Sequence, residues 1–139
     1  MVVIHHNPEC GTSRNVLAII RAAGYEPRVI EYIKEGWSKP QLLALFAAAD
    51  LTPRAALRTT KSPAEELGLL DESVSDETLL EAMVKYPVLV NRPIVCTHNG
   101  VKLCRPSEIV LDLLEKWPEP GFEKEDGERI LDENGQRIS

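Results

Sequence analysis

The sequence predicts an α/β protein built on a small mixed sheet, and three observations carry that prediction. A short apolar run, Val2-Val3-Ile4, precedes Val16, Leu17, Ile20 and Ala23, which recur at helical spacing. Gly24 stops that helix, and Pro27-Arg28-Val29-Ile30-Glu31-Tyr32 reads as a second strand. Further on, Pro93-Ile94-Val95-Cys96-Thr97 and Val101-Lys102-Leu103-Cys104 flank His98-Asn99-Gly100, and Asn-Gly between apolar runs is a strong hairpin signal. The first two strands and their helix therefore form a right-handed parallel βαβ unit, whereas the last two strands are antiparallel.

The remaining elements follow from their caps. Thr12 or Ser13 is the expected N-cap of the first helix. From Ser38 to Lys85 the punctuation is helical: Ser38-x-x-Gln41 with Pro40, Thr52 before Pro53, Ser62-x-x-Glu65 with Pro63, and Ser75 before Asp76-Glu77. Those caps predict four short helices. Arg105-Pro106-Ser107-Glu108 opens a last helix with the apolar face Ile109, Val110, Leu113, Leu114 and Trp117. The tail, about 118–139, is polar and expected to pack loosely, with one more turn at Glu133-Asn134-Gly135-Gln136. A βαβ unit, a helical insertion over about 38–85, a hairpin and a closing helix is the order of a thioredoxin-like domain with an insert. The whole chain, 1–139, is expected to be that one domain.

Composition narrows what such a domain does. With 139 residues and 43% hydrophobic content, the chain has the apolar material for an ordinary core without staples. Three cysteines, Cys10, Cys96 and Cys104, do not suggest a disulfide framework. No signal peptide or long apolar run precedes them, so the expected location is the cytoplasm, with reduced thiols. A net charge of −6 argues against nucleic acid or an anionic membrane as the main partner. Any anion site must be built locally.

The place for it is His5-His6-Asn7-Pro8-Glu9-Cys10-Gly11-Thr12-Ser13-Arg14-Asn15, where a strand gives way to a helix. Unpaired N–H groups and the positive end of the helix dipole favour a thiolate or a bound oxyanion there. Arg14, with His6 as a second positive group, is expected to lower the Cys10 pKa below the free value of about 8.5. Cys10-Gly11-Thr12-Ser13 is C-x-x-S, so no second thiol stands ready to resolve a disulfide. Val16 occupies the position where a phosphatase-type Cys-x5-Arg loop would carry arginine. Three arginines stand out beyond this motif. Arg92 and Arg105 lie at the entry and exit of the hairpin, at opposite margins of the Cys10 loop, and Arg58 ends the helix that starts at Thr52. Singly, each is most simply a surface residue, but the guanidinium fork suits an oxyanion and the topology gathers two of them. Cys96 and Cys104 fall in strand patterns and read as small hydrophobes, and His98 as a turn residue. The histidines lack further ligands at suitable spacing, and no metal is expected.

In combination, His6 to Asn15, Asn91-Arg92-Pro93-Ile94-Val95 and Leu103-Cys104-Arg105-Pro106-Ser107-Glu108 resemble the glutaredoxin-coupled arsenate reductase family. The similarity extends over nearly the whole chain, through Arg54-x-x-Leu57-Arg58 and Glu65-Glu66-Leu67-Gly68-Leu69 to Lys124-Glu125-Asp126-Gly127-Glu128. The resemblance implies that Cys10 is the nucleophile, that Arg58, Arg92 and Arg105 hold the oxyanion, that His6 lowers the Cys10 pKa and that Pro93 is cis. Gly11, Thr12, Ser13, Arg14 and Pro93 would support them. It further implies reduction of arsenate to arsenite through a covalent adduct, with glutathione as co-substrate, glutaredoxin as partner and no bound cofactor. Two positions depart from the family: His5 stands where an aromatic residue is common, and Cys96 where an aliphatic one is expected. Rival functions on the same fold are a redox-sensing regulator of RNA polymerase and a thiol oxidoreductase acting on protein mixed disulfides. The first typically carries C-x-x-C, which Ser13 interrupts, and the second does not need three guanidinium groups.

Overall fold

The strand that leads to Cys10 lies inside the sheet. In the computed structural model, which describes residues 1–138, β1 (Val3–His6) runs parallel to β2 (Arg28–Glu31), with Val3 beside Arg28 and His6 beside Glu31. On its other side it runs antiparallel to β3 (Ile94–Thr97), with Ile4 beside Val95. β4 (Gly100–Leu103) completes the order β2-β1-β3-β4. This is the mixed thioredoxin-like sheet that the strand patterns predict, with the hairpin antiparallel and the βαβ pair parallel. Ile4 and Val95 are fully buried, as are Val16, Ile19 and Ile20 on the inner stripe of α1 (Gly11–Ala22). Each such side chain contributes roughly 1.5–3 kcal/mol by leaving water.

Several boundaries differ from the sequence reading for local reasons. β1 begins at Val3 and not Val2, and His5 and His6, which alternate at its end as the sequence suggests, are both buried. Gly100, at φ +138°, pairs with Thr97, so the hairpin loop is His98-Asn99 and not the three residues His98-Asn99-Gly100. The closing helix, Ser107–Leu113, is 3₁₀. Its buried Ser107, Val110 and Leu113 are three apart, which matches a helix of three residues per turn. Trp117 lies beyond it, 39% exposed, with Nε1–H donating to the Leu111 carbonyl.

The chain forms two compact units, Tyr32–Asn91 being one and the flanking segments the other. In the first, Tyr32 begins α2 (Tyr32–Glu35) instead of ending β2, and its hydroxyl donates to the Val90 carbonyl at 3.1 Å. Ser38 and Gln41 form the expected capping box of α3 (Lys39–Ala49), and Thr52 and Ser75 cap α4 (Pro53–Ala56) and α5 (Asp76–Lys85). The fourth predicted helix, at Ser62, does not form. Ser62 Oγ–H donates to the Arg58 carbonyl at 2.6 Å, and the chain turns repeatedly through to Gly68, at φ +72°. Leu57 bridges Val90 in antiparallel fashion, and the Arg58 N–H donates to the Leu89 carbonyl at 2.7 Å.

The tail is not loose. Ile130 and Leu131, each 1% exposed, join the core formed by Ile4, Val16, Ile20 and Val110. Antiparallel bridges Glu123–Arg129 and Leu131–Arg137 fold the tail into two short turns, the second of them at the expected Glu133–Gln136 position. Lys124, whose side chain is only 11% exposed, contacts Glu108 at 2.8 Å and Glu128 at 3.0 Å. Two apolar residues in a polar segment thus anchor the whole. Among the described residues no helix is long and apolar enough to cross a membrane.

If the tail is part of the core, Ile130→Ala lowers unfolding free energy by roughly 2–4 kcal/mol in a denaturant titration, as for other buried aliphatic truncations. A loosely attached tail would show a change within about 0.5 kcal/mol.

Candidate active site

Cys10 is the N-cap of α1. Its backbone is extended (φ −101°, ψ 120°), and its carbonyl accepts the Arg14 N–H at 2.9 Å, so the helix starts earlier than a Thr12 or Ser13 cap would allow. The loop from β1 is short and internally bonded. Asn7 accepts twice, its carbonyl from the Cys10 N–H at 3.0 Å and its Oδ1 from the Glu9 N–H at 3.0 Å. That side-chain turn is a role for Asn7 that the sequence reading did not assign, although Asn followed by Pro is a turn signal. Ser13, fully buried in the first helical turn, takes the Asn7 N–H on its Oγ at 3.1 Å, and the same Oγ lies 2.6 Å from His6 Nδ1.

The charge on Cys10 is set by opposing effects. Burial of the thiol, 7% exposed, works against the thiolate. The Ser13 backbone N–H, the Arg92 guanidinium and hydrogen bonds from Arg105 and Arg92 outweigh it and hold the pKa below the ordinary thiol value. Arg105 Nη1–H donates to Cys10 Sγ at 3.6 Å and to the Arg92 carbonyl at 3.1 Å. Arg92, Arg105 and Cys10 therefore share one site, as the hairpin topology predicts. Pro93, in cis linkage to Arg92, is buried, and its carbonyl accepts the Cys104 N–H at 2.9 Å. The Arg105–Pro106 bond is also cis, which sequence reasoning did not foresee.

The other candidates fall in different places. His6 does not supply the expected positive charge: burial first, and then Arg21 and Arg14, lower its pKa against the pull of Glu31. Its Nδ1 lies 2.6 Å from Ser13 Oγ. Arg14 is turned outward, with Nε and Nη2 donating to Glu125 at 2.5 and 3.2 Å and Nη1 donating to the Pro8 carbonyl at 2.8 Å. Gly11 and Thr12 form the first turn of α1. A Cβ on Gly11 would meet Arg14 and Glu125 only at ordinary contact distance, so that position does not demand glycine for space. Arg58 belongs to the helical unit, where its Nε–H donates to the Thr60 carbonyl at 3.0 Å. Cys104, fully buried, is pushed up to about 12 by burial, and burial raises Cys96 as well. All three thiols are free. Among the described residues no cluster of His, Cys, Asp and Glu offers a metal three ligands. Chemically, the arrangement presents one sulfur, its pKa drawn down, beside two guanidinium groups.

Comparison with known proteins identifies relatives along the whole chain. The sequence profile of the ArsC family matches residues 5–113. Arsenate reductase ArsI2 of Synechocystis is 72% identical over 138 residues, spanning 99% of both chains. An arsenate reductase of Rhizobium meliloti is 56% identical over 137 residues, covering 99% of this chain and 98% of its own. Among solved structures, the arsenate reductase from Vibrio cholerae matches with a TM-score of 0.77 and 38% identity over 81% of this chain and 97% of that one.

Two titrations test these assignments. Alkylation rate against pH gives a Cys10 midpoint below the ordinary value of about 8.5, and Arg92→Ala and Arg105→Ala each raise it. A midpoint at or above that value would mean burial wins. His5 concerns stability instead: burial lowers its pKa from 6.5 to about 4, so its protonation favours the unfolded chain. Its contribution is complete above pH 6.5 and is lost as pH falls toward 4, by about 3 kcal/mol in all. His5→Phe should flatten the acid limb of a stability–pH curve measured by urea unfolding.

Proposed function

The chain belongs to the ArsC family and is an arsenate reductase, and from that premise we propose that Cys10 is its nucleophile and that Arg58, Arg92 and Arg105 hold the oxyanion. The observation that carries this reading is the pair of guanidinium groups beside Cys10, one of them 3.6 Å from the sulfur. A thiol at a helix start would serve many reactions. Two cationic forks beside it suit an attack on a tetrahedral oxyanion, because they neutralise oxygen charge while the sulfur approaches.

The steps join these residues to the route that the family resemblance implies. The Cys10 thiolate attacks arsenic, an As–S bond forms, and one arsenic oxygen leaves as water after protonation. C-x-x-S supplies no second thiol, and the resemblance to the glutaredoxin-coupled family implies that glutathione provides it, displacing another oxygen as water and forming a second As–S bond. A glutaredoxin thiolate then attacks the glutathione sulfur. That bond forms as the As–S(glutathione) bond breaks, its electron pair remains on arsenic, and As(V) becomes As(III) still bound to Cys10. Hydrolysis releases arsenite and regenerates the thiolate. The chain needs no bound cofactor for this sequence, since the electrons come from two external thiols. His6 acts by fixing Ser13, whose N–H faces the thiolate, and Gly11, Thr12, Arg14 and Pro93 hold the loop and helix start around it. Phosphate fits the same arginines but does not accept the electron pair, so discrimination lies in the redox step.

Arsenite production with glutathione and glutaredoxin, set beside thioredoxin as donor, is the direct test. Cys10→Ser abolishes turnover, while Cys96→Ala with Cys104→Ala retains most of it. Ala at Arg58, Arg92 or Arg105 removes a charge-assisted hydrogen bond and lowers kcat/KM by roughly ten- to a hundredfold, with Lys restoring only part. Loss of turnover in the double cysteine variant with its fold intact, or unchanged kinetics in all three arginine variants, would overturn the assignment.

A further inference from the structure

We propose that Glu125 is a positioning residue for the nucleophile loop, acting through Arg14 to hold Pro8, Glu9 and Cys10 in register with the start of α1. It rests on the reading of Cys10 as the nucleophile.

Three contacts make the connection. The Glu125 carboxylate meets Nε and Nη2 of Arg14 side-on, at 2.5 and 3.2 Å, so that both edges of the guanidinium are oriented together. The remaining nitrogen, Nη1, then points back across the first turn to the Pro8 carbonyl at 2.8 Å. The Glu125 backbone N–H donates to Asn15 Oδ1 at 3.0 Å, which fixes the tail against the same turn of helix. Pro8 has no N–H, and its carbonyl faces outward, so Arg14 is the group that restrains the loop from its solvent side. Asn7 restrains it from the inside.

An ordinary surface ion pair would add little, because two flexible side chains must be ordered in water for a screened attraction. Arg14 and Glu125 are each about half exposed, 45% and 48%, and salt reaches them. What distinguishes this pair is its planar two-point geometry and its third arm. Arginine's fork is rigid, so orienting two of its nitrogens fixes the direction of the third. Glu125 itself is held by a tail whose Ile130 and Leu131 are buried, which makes the carboxylate a fixed anchor. The link thus runs from the tail through a surface arginine to the backbone two residues before the reactive sulfur.

The test is a double-mutant cycle read in two ways. Glu125→Gln keeps size and removes the charge. In the otherwise native protein it should speed hydrogen exchange at the Glu9 and Cys10 amides by about tenfold and lower kcat at saturating arsenate several-fold, with little change in Tm. In an Arg14→Gln background the same substitution should change neither. High sodium chloride should carry the native protein toward the Glu125→Gln values and leave the variant where it is. Unchanged exchange in Glu125→Gln, an equal effect in both backgrounds, or faster exchange without a fall in kcat would each overturn the proposal. If the native protein made no arsenite at all, the proposed function would fall, while the exchange measurement would still decide whether Glu125 holds the loop.

Discussion

Everything at the site depends on where α1 begins. Because Cys10 has extended backbone angles yet accepts the first helical hydrogen bond on its own carbonyl, its sulfur projects from the position where N–H groups lack helical partners. A start at Ser13 would put a hydroxyl there and leave the thiol in the loop. Instead Ser13 is carried one turn inward, where its hydroxyl joins the end of β1 to the beginning of the helix through His6 and Asn7. Three residues of helix start, from Cys10 to Ser13, therefore separate an activated sulfur from an ordinary one.

The three cysteines form an internal comparison of what surroundings do to the same group. Cys104 is buried in the core and rises from 9.0 to about 12, which corresponds to roughly 4 kcal/mol against its thiolate. Cys96, half-buried in β3, rises too. Cys10 is also buried, yet its pKa moves the other way, because two guanidinium groups and a backbone N–H face the sulfur. Burial by itself inactivates a thiol. Buried among cations, the same thiol has its pKa drawn down while it is shielded from bulk water, which strengthens every charge interaction the sulfur makes.

The sheet and the pairing of its strands were legible in the sequence because alternation, caps and the Asn-Gly signal act locally. So were Cys10, Arg92 and Arg105, since the hairpin's ends must lie beside the end of a neighbouring strand. The misreadings have a common cause in tertiary choices that leave no local trace. Ser62 has the spacing of a cap but bonds back to Arg58. Arg105 to Leu113 has apolar spacing compatible with an α-helix, and packing selects the tighter 3₁₀ form. The tail's composition is that of a solvated segment, and two buried aliphatic residues outweigh it. Glu125 carried no signal of its own, because its partner is 111 residues away.

The unit that contains Cys10 is assembled from both ends of the chain, with Tyr32–Asn91 between them. Chains are made from the amino terminus, so Val3 to Ala22 leave the ribosome long before Arg92 and Arg105 do. During that interval the sulfur has neither of its guanidinium neighbours, and the core lacks Ile130 and Leu131. A nascent chain thus carries Cys10 without the guanidinium groups that lower its pKa, and gains them only once both segments of that unit have been made.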